Sequence, residues 1–146
     1  MSVFPTKVLV ATDGSEDSQL ATRTAVELAQ ETSSELHVVY VLPWPDQGMR
    51  DLWGFDASAR DAAEVRGHAR LKELAEGIEA SGATVTEAHF ASGSPEERIV
   101  ALAEELGAGF VVMGKTGYGG LRRALMGSIS DYVVRHATAA VVVVGE

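Results

Sequence analysis

Along the chain, short apolar runs alternate with longer stretches in which apolar positions recur every three or four residues. Lys7 to Thr12 (KVLVAT), Leu36 to Leu42 (LHVVYVL), Phe110 to Met113 and Ala139 to Val144 (AAVVVV) are nearly continuous apolar runs bounded by turn residues. That is the pattern of strands covered on both faces. Thr84 to Ala91 (TVTEAHFA) alternates instead, as an edge strand does.

The stretches between them predict helices. After Asp13-Gly14-Ser15, with Ser15 as a cap, Leu20, Thr24 and Leu28 interleave with Ala21, Ala25 and Ala29 to give a small-residue face suited to close packing on a sheet. Ala59 to Ala80 is a long charged helix with Ala63, Leu71, Leu74 and Ile78 inward, stopped by Ser81-Gly82. Ser94-Pro95-Glu96-Glu97 starts a third helix, with Ser as N-cap, Pro in the first turn and Glu three residues after the cap. It runs through Ile99, Leu102 and Leu106 to Gly107, and Ser128 to His136 is the last helix. Pro43 and Pro45 end the second strand, and the segment onward to about Ala57, with Trp44, Gly48, Trp53 and Gly54, has no period and reads as a surface loop.

Strands alternating with helices make β-α-β units, so the chain is an α/β domain with a parallel sheet and helices on both faces. Its 146 residues form one domain, residues 1–146, large enough to bury a core without metal or disulfide staples. With no Cys, thiol catalysis, disulfides and Cys-based zinc sites are excluded. The formal net charge of -9 argues against general nucleic-acid binding. No segment has the length and apolarity of a membrane span or a signal peptide, so the expectation is a cytoplasmic protein without membrane contact.

Charge and glycine then single out residues 109 to 130, GFVVMGKTGYGGLRRALMGSIS. From Leu106 to Ser130 there is no Asp or Glu, yet Lys115, Arg122 and Arg123 are present. Gly114, Gly117, Gly119 and Gly120 let several N–H groups converge on an anion, and Met113 is the strand residue that leads into them. Gly127, Ser128 and Ser130 sit where a helix begins, offering N–H donors, hydroxyls and the positive end of a helix dipole. Together they form a cradle for phosphate. Gly109 to Thr116 also satisfies the expression G-x4-G-K-[ST], but in a P-loop the variable positions are the loop itself. Here they are Phe110 to Met113, a strand, and Tyr118-Gly119-Gly120 rather than a helix follows.

The spacing Gly114-x2-Gly117-x9-Gly127-Ser128, with the strand-to-Asp13 opening and the terminal valine run, resembles the universal stress protein family over nearly the whole chain. The resemblance implies an open five-stranded sheet of order 3-2-1-4-5, Rossmann-like and similar to the adenine nucleotide alpha hydrolases. Its switch point would lie between the ends marked by Asp13 and Gly114. It also implies ATP as ligand, with ADP or AMP as alternatives and Mg2+ bridging the phosphates. Asp13 would lie beside the adenosine, Val41 would present backbone groups to the adenine edge, and Gly114 and Gly117 would pass under the ribose and first phosphates. Gly127 and Ser128 would hold the terminal phosphates, with Ser130 as a further hydroxyl.

The resemblance further implies a homodimer through Val141 to Val144, which otherwise form an apolar edge that invites aggregation. One departure is that the family often has Pro shortly before this strand, where this chain has Thr138-Ala139-Ala140. A phosphoanhydride hydrolase needs an oriented water and usually a carboxylate near the metal or nucleophile, and the cradle contains none. The expectation is therefore a nucleotide-binding signalling protein with little or no turnover and an unknown partner. The alternatives are an interaction protein of the same fold that binds no nucleotide, or an ATP-using pyrophosphatase or adenylyl transferase. Such enzymes place glycines and a Ser directly after the first strand, where here only Gly14 is in place. His37, His68, His89 and His136 show no ligand spacing, and no metal site built from side chains alone is expected.

Overall fold

The computed structural model describes residues 3–44, 54, 57–115 and 127–145. Within them the order is β1 (Lys7–Ala11), α1 (Glu16–Thr32), β2 (Glu35–Pro43), α2 (Ala57–Ala80), β3 (Glu87–Gly93), α3 (Pro95–Leu106), β4 (Phe110–Gly114), α4 (Ser128–His136) and β5 (Ala140–Val144). The five strands form one sheet of order β3-β2-β1-β4-β5, and every neighbouring pair is parallel.

The apolar runs of β1, β2 and β4 are continuous because each faces a helix layer on both sides. Val8, Val10, Val38 and Val112 pack with Ala21, Ala25 and Ala29 of α1 and with Leu71 and Ile78 of α2. The alternate residues Leu9, Ala11, Val39, Val41, Val111 and Met113 pack with Ile99 and Ala103 of α3 and Val133 of α4. The sheet is thus a middle layer, with α1 and α2 on one face and α3 and α4 on the other.

Local chemistry sets the helix ends. The Ser15 hydroxyl accepts from the Ser18 amide at 3.3 Å, and Ser33 closes α1 with a left-handed φ of 57°. The alanine face brings α1 close to the sheet, with Ala21 and Ala25 fully buried. In α2 the inner face is also small. Ala63, Gly67, Leu71, Ala75 and Ile78 are its buried residues, and a Cβ on Gly67 would come 2.6 Å from the Phe90 ring of β3.

Three details depart from the sequence pattern. The β3 ladder begins at Glu87, paired with His37, rather than at Thr84; just before it the Thr86 amide donates to the Leu36 carbonyl at 2.8 Å. Ser94 is the N-cap of α3, but its hydroxyl caps nothing; Pro95 removes one orphan N–H instead. Pro43 is the last residue of β2, paired with Gly93, rather than a breaker outside it. The loop reading for residues 45–53 lies outside the described residues, as do Gly117, Gly119, Gly120, Arg122 and Arg123.

Candidate functional site

Sheet order places the two middle strands side by side with their helices leaving in opposite directions. β1 and β4 pair from Val8 with Phe110 to Val10 with Val112, and beyond that point the strands separate. An open α/β sheet binds ligands in the crevice beyond such carboxyl ends. Asp13 follows β1 and Gly114 ends β4, so the two residues flank this crevice.

On the β1 side, the Asp13 Oδ1 accepts from the Ser15 amide at 2.9 Å, which turns the chain into α1. Thr12, 3% exposed, is fixed by its amide to the Val39 carbonyl at 3.1 Å and by its hydroxyl to the Ser18 hydroxyl at 3.2 Å. Gly14 has φ 84°, a left-handed conformation that favours glycine, and the Arg70 guanidinium from α2 lies over it. A cation on α2 therefore overhangs the β1–α1 turn, a contact no local spacing announces.

Val41 sits one pleat beyond the last β1–β2 pair, Ala11 with Val39. Since the Val39 carbonyl faces β1 and the Leu36 carbonyl faces β3, the alternation of a strand points the Val41 carbonyl to the β1 side. Its side chain is fully buried, so only its backbone can serve a ligand. Met113, 3% exposed, likewise has its side chain in the core on the α3 and α4 face.

On the β4 side, Gly114 is required by a close approach. A Cβ there would lie 2.9 Å from the Asp17 carbonyl carbon and 3.0 Å from the Ser18 amide nitrogen, both backbone atoms. The next residue anchors the segment in two directions. The Lys115 amide donates to the Val144 carbonyl at 2.7 Å, while its carbonyl accepts from the Gly127 amide at 2.9 Å and the Ser130 hydroxyl at 2.9 Å. The chain that leaves the sheet at Lys115 thus returns beside it at Gly127, and α4 starts at the carboxyl end of β4.

Gly127 is the N-cap of α4 and offers no side-chain acceptor, so among the described residues no side chain caps the first-turn amides that precede the Asp131 amide, which donates to the Gly127 carbonyl at 2.9 Å. Ser128 is exposed there. Ser130 is 2% exposed, and its hydroxyl also reaches the Gly127 carbonyl at 3.1 Å. Its proton is directed at loop carbonyls rather than outward, which makes it a latch.

Asp17 is the site neighbour that the sequence pattern passed over. It is 3% exposed, packs under Gly114, and its carboxylate lies 3.0 Å from where a Gly145 Cβ would stand. At the opposite end of the sheet, the histidines without ligand spacing prove to be neighbours: His37 Nδ1 lies 3.0 Å from His89 Nε2 across β2 and β3.

The family model of the universal stress proteins matches residues 5–145. The chain belongs to the universal stress protein family. It is 30% identical over 141 residues to the universal stress protein MJ0531 of Methanocaldococcus jannaschii, covering 94% of this chain and 81% of that one. UspA from Lactobacillus plantarum shares the fold with a TM-score of 0.78 at 24% identity, covering 99% of this chain and 100% of that chain. A universal stress protein solved in complex with cAMP superposes with a TM-score of 0.71 at 28% identity, covering 96% and 97%. The sheet order 3-2-1-4-5 expected from the family is the observed one. Among the described residues no helix is long and apolar enough to cross a membrane.

Proposed function

We propose that the crevice between β1 and β4 binds an adenine nucleotide, ATP in the first instance with ADP or AMP as alternatives. The observation that carries this reading is the latch at Lys115, which holds the start of α4 against the end of β4. The first-turn amides and the positive end of α4 then stand at the carboxyl end of β4, and the sequence between Lys115 and Gly127 carries no acidic residue, which together suit a phosphate. At the other end the Val41 carbonyl suits a base edge that donates a hydrogen bond. A relative of similar sequence and fold solved with cAMP supports a nucleotide of this class.

In this assignment Asp13 borders the adenosine, Gly114 and Gly117 pass under the ribose and first phosphates, and Gly127 and Ser128 receive the terminal ones. Met113 delivers the strand to the cradle, and Ser130 positions the loop instead of touching the ligand. Mg2+ would be held mainly by the phosphates. Turnover is not expected, since Asp13 is engaged in the β1–α1 turn and Asp17 lies under Gly114 rather than in the loop. The biological reading is a cytoplasmic homodimer, joined through β5, that signals by nucleotide occupancy.

Thermal unfolding with and without ATP and Mg2+ tests binding. Ligand at a hundred times its Kd adds about 2.7 kcal/mol of stability. A melting rise in the native protein, lost in Gly117→Ala plus Ser128→Ala, is expected. No rise in the native protein would favour an interaction protein that binds no nucleotide, and an ATPase rate abolished by Ser128→Ala would favour an enzyme.

A further inference from the structure

At the amino end of the sheet, far along the strands from the crevice, β2 and β3 carry two histidines and two glutamates on one face. Parallel register pairs His37 with Glu87 and Val39 with His89, so residues 52 apart in the chain become neighbours. His37 Nδ1 is 3.0 Å from His89 Nε2, and His89 Nε2 is 3.6 Å from Glu87 Oε1. Ligating atoms from His37, His89 and Glu87 all lie within 4.8 Å of one another. Two ligands of a tetrahedral zinc ion, each about 2.0–2.2 Å from it, stand roughly 3.3–3.6 Å apart. The 3.6 Å separation falls in that range, and the 3.0 Å hydrogen bond between the two rings has to open by only a few tenths of an ångström to admit the ion.

The surroundings fit a cation. His37 is 3% exposed, and its outer nitrogen, Nε2, lies 2.9 Å from the Glu35 carboxylate. A carboxylate only accepts, so Nε2 carries the hydrogen, and in the neutral ring the Nδ1 lone pair points at His89. This is the carboxylate–histidine arrangement that orients metal ligands. His89 lines a solvent-open cavity of about 490 Å³, whose charged walls are Glu105 and Arg98 of α3.

We infer that His37, His89 and Glu87 form a zinc site, with Glu35 orienting His37 and water completing the coordination. Mixed imidazole and carboxylate donors suit Zn2+ and not the oxygen-seeking Mg2+. Bound metal would staple the edge strand β3 to β2, independently of any nucleotide in the crevice.

The test uses untagged, nucleotide-free protein stripped with a chelator. Zn2+ is titrated against a chromophoric competitor, and Co2+ is added as a spectroscopic probe. One Zn2+ per chain and the intense visible bands of four-coordinate Co2+ are expected. Glu87→Gln, at an exposed position, should weaken binding at least tenfold, and His89→Gln should abolish it. Glu35→Gln, acting only through His37, should cost about 10–100-fold. His136→Gln should change nothing, because that ring is placed against the Tyr132 carbonyl on α4. Circular dichroism verifies that each variant is folded. Equal zinc affinity in folded His89→Gln and native protein, or only the weak bands of six-coordinate Co2+, would overturn the assignment.

Discussion

The Gly127 amide donates to the Lys115 carbonyl across 2.9 Å, so the ends of the glycine-rich segment meet at the carboxyl edge of the sheet. The Ser130 hydroxyl binds the same carbonyl from inside α4, also at 2.9 Å. These bonds fix where the helix begins, whatever path residues 116–126 take between them.

The latch predicts opposite behaviour for two serines in one helical turn. Ser130→Ala removes a buried hydroxyl bond and should cost about 1 kcal/mol of stability, with weaker nucleotide binding as a secondary result. Ser128→Ala, at an exposed position, should leave urea unfolding unchanged and still weaken ATP binding. Unfolding curves without nucleotide, set beside affinities, separate the two roles.

Gly114→Ala should destabilise the protein by about 1–3 kcal/mol, the cost of overpacking, because its Cβ would press on the backbone of Asp17 and Ser18. Gly77, within α2, has nothing near its Cβ position. Gly77→Ala should therefore stabilise by about 0.5–1 kcal/mol through helix propensity. Chemical denaturation of both variants checks the opposite signs.

The outer edge of β5 predicts a selective way to break a dimer. The Val144 carbonyl faces Lys115 and the Ala140 amide faces Gly109, both on the β4 side, so alternation turns the Val143 amide outward. Val143→Pro removes an edge donor while sparing the β4 ladder. Sedimentation at micromolar concentration should show a native dimer and a folded Val143→Pro monomer.

Acid should destabilise the metal-free protein through His89. Burial lowers its folded pKa below 6.5, with Glu87 and Glu105 pulling it up and His37 pushing it down. The unfolded chain then binds more protons than the folded one in the interval below 6.5. Stability from this group is full above 6.5 and is lost as pH falls through the folded value. Denaturation in the presence of a chelator should show that slope, and His89→Gln should reduce it.

Much of the framework was legible because it rests on local pattern. The valine-rich runs of β1, β4 and β5, the Ser15 cap and the α4 start at Ser128 each carry their signal in a few adjacent residues. Other features depend on distant partners. Glu87 begins β3 because of where β2 stands, and Gly114 is needed because α1 presses on it, so neither has a local signature. Arg70 over Gly14 and His37 beside His89 arise only from packing and strand register. Ser130 had the right chemistry for phosphate, but burial turned its hydroxyl to the loop.

The most direct measurement is to purify the protein without added nucleotide, denature it, and identify the released small molecules by chromatography and mass spectrometry. An adenine nucleotide, ATP in the first instance, is expected near one per chain, and is expected to be lost from folded Gly117→Ala plus Ser128→Ala. Release of no nucleotide, with no thermal stabilisation by added ATP and Mg2+, would contradict the nucleotide assignment.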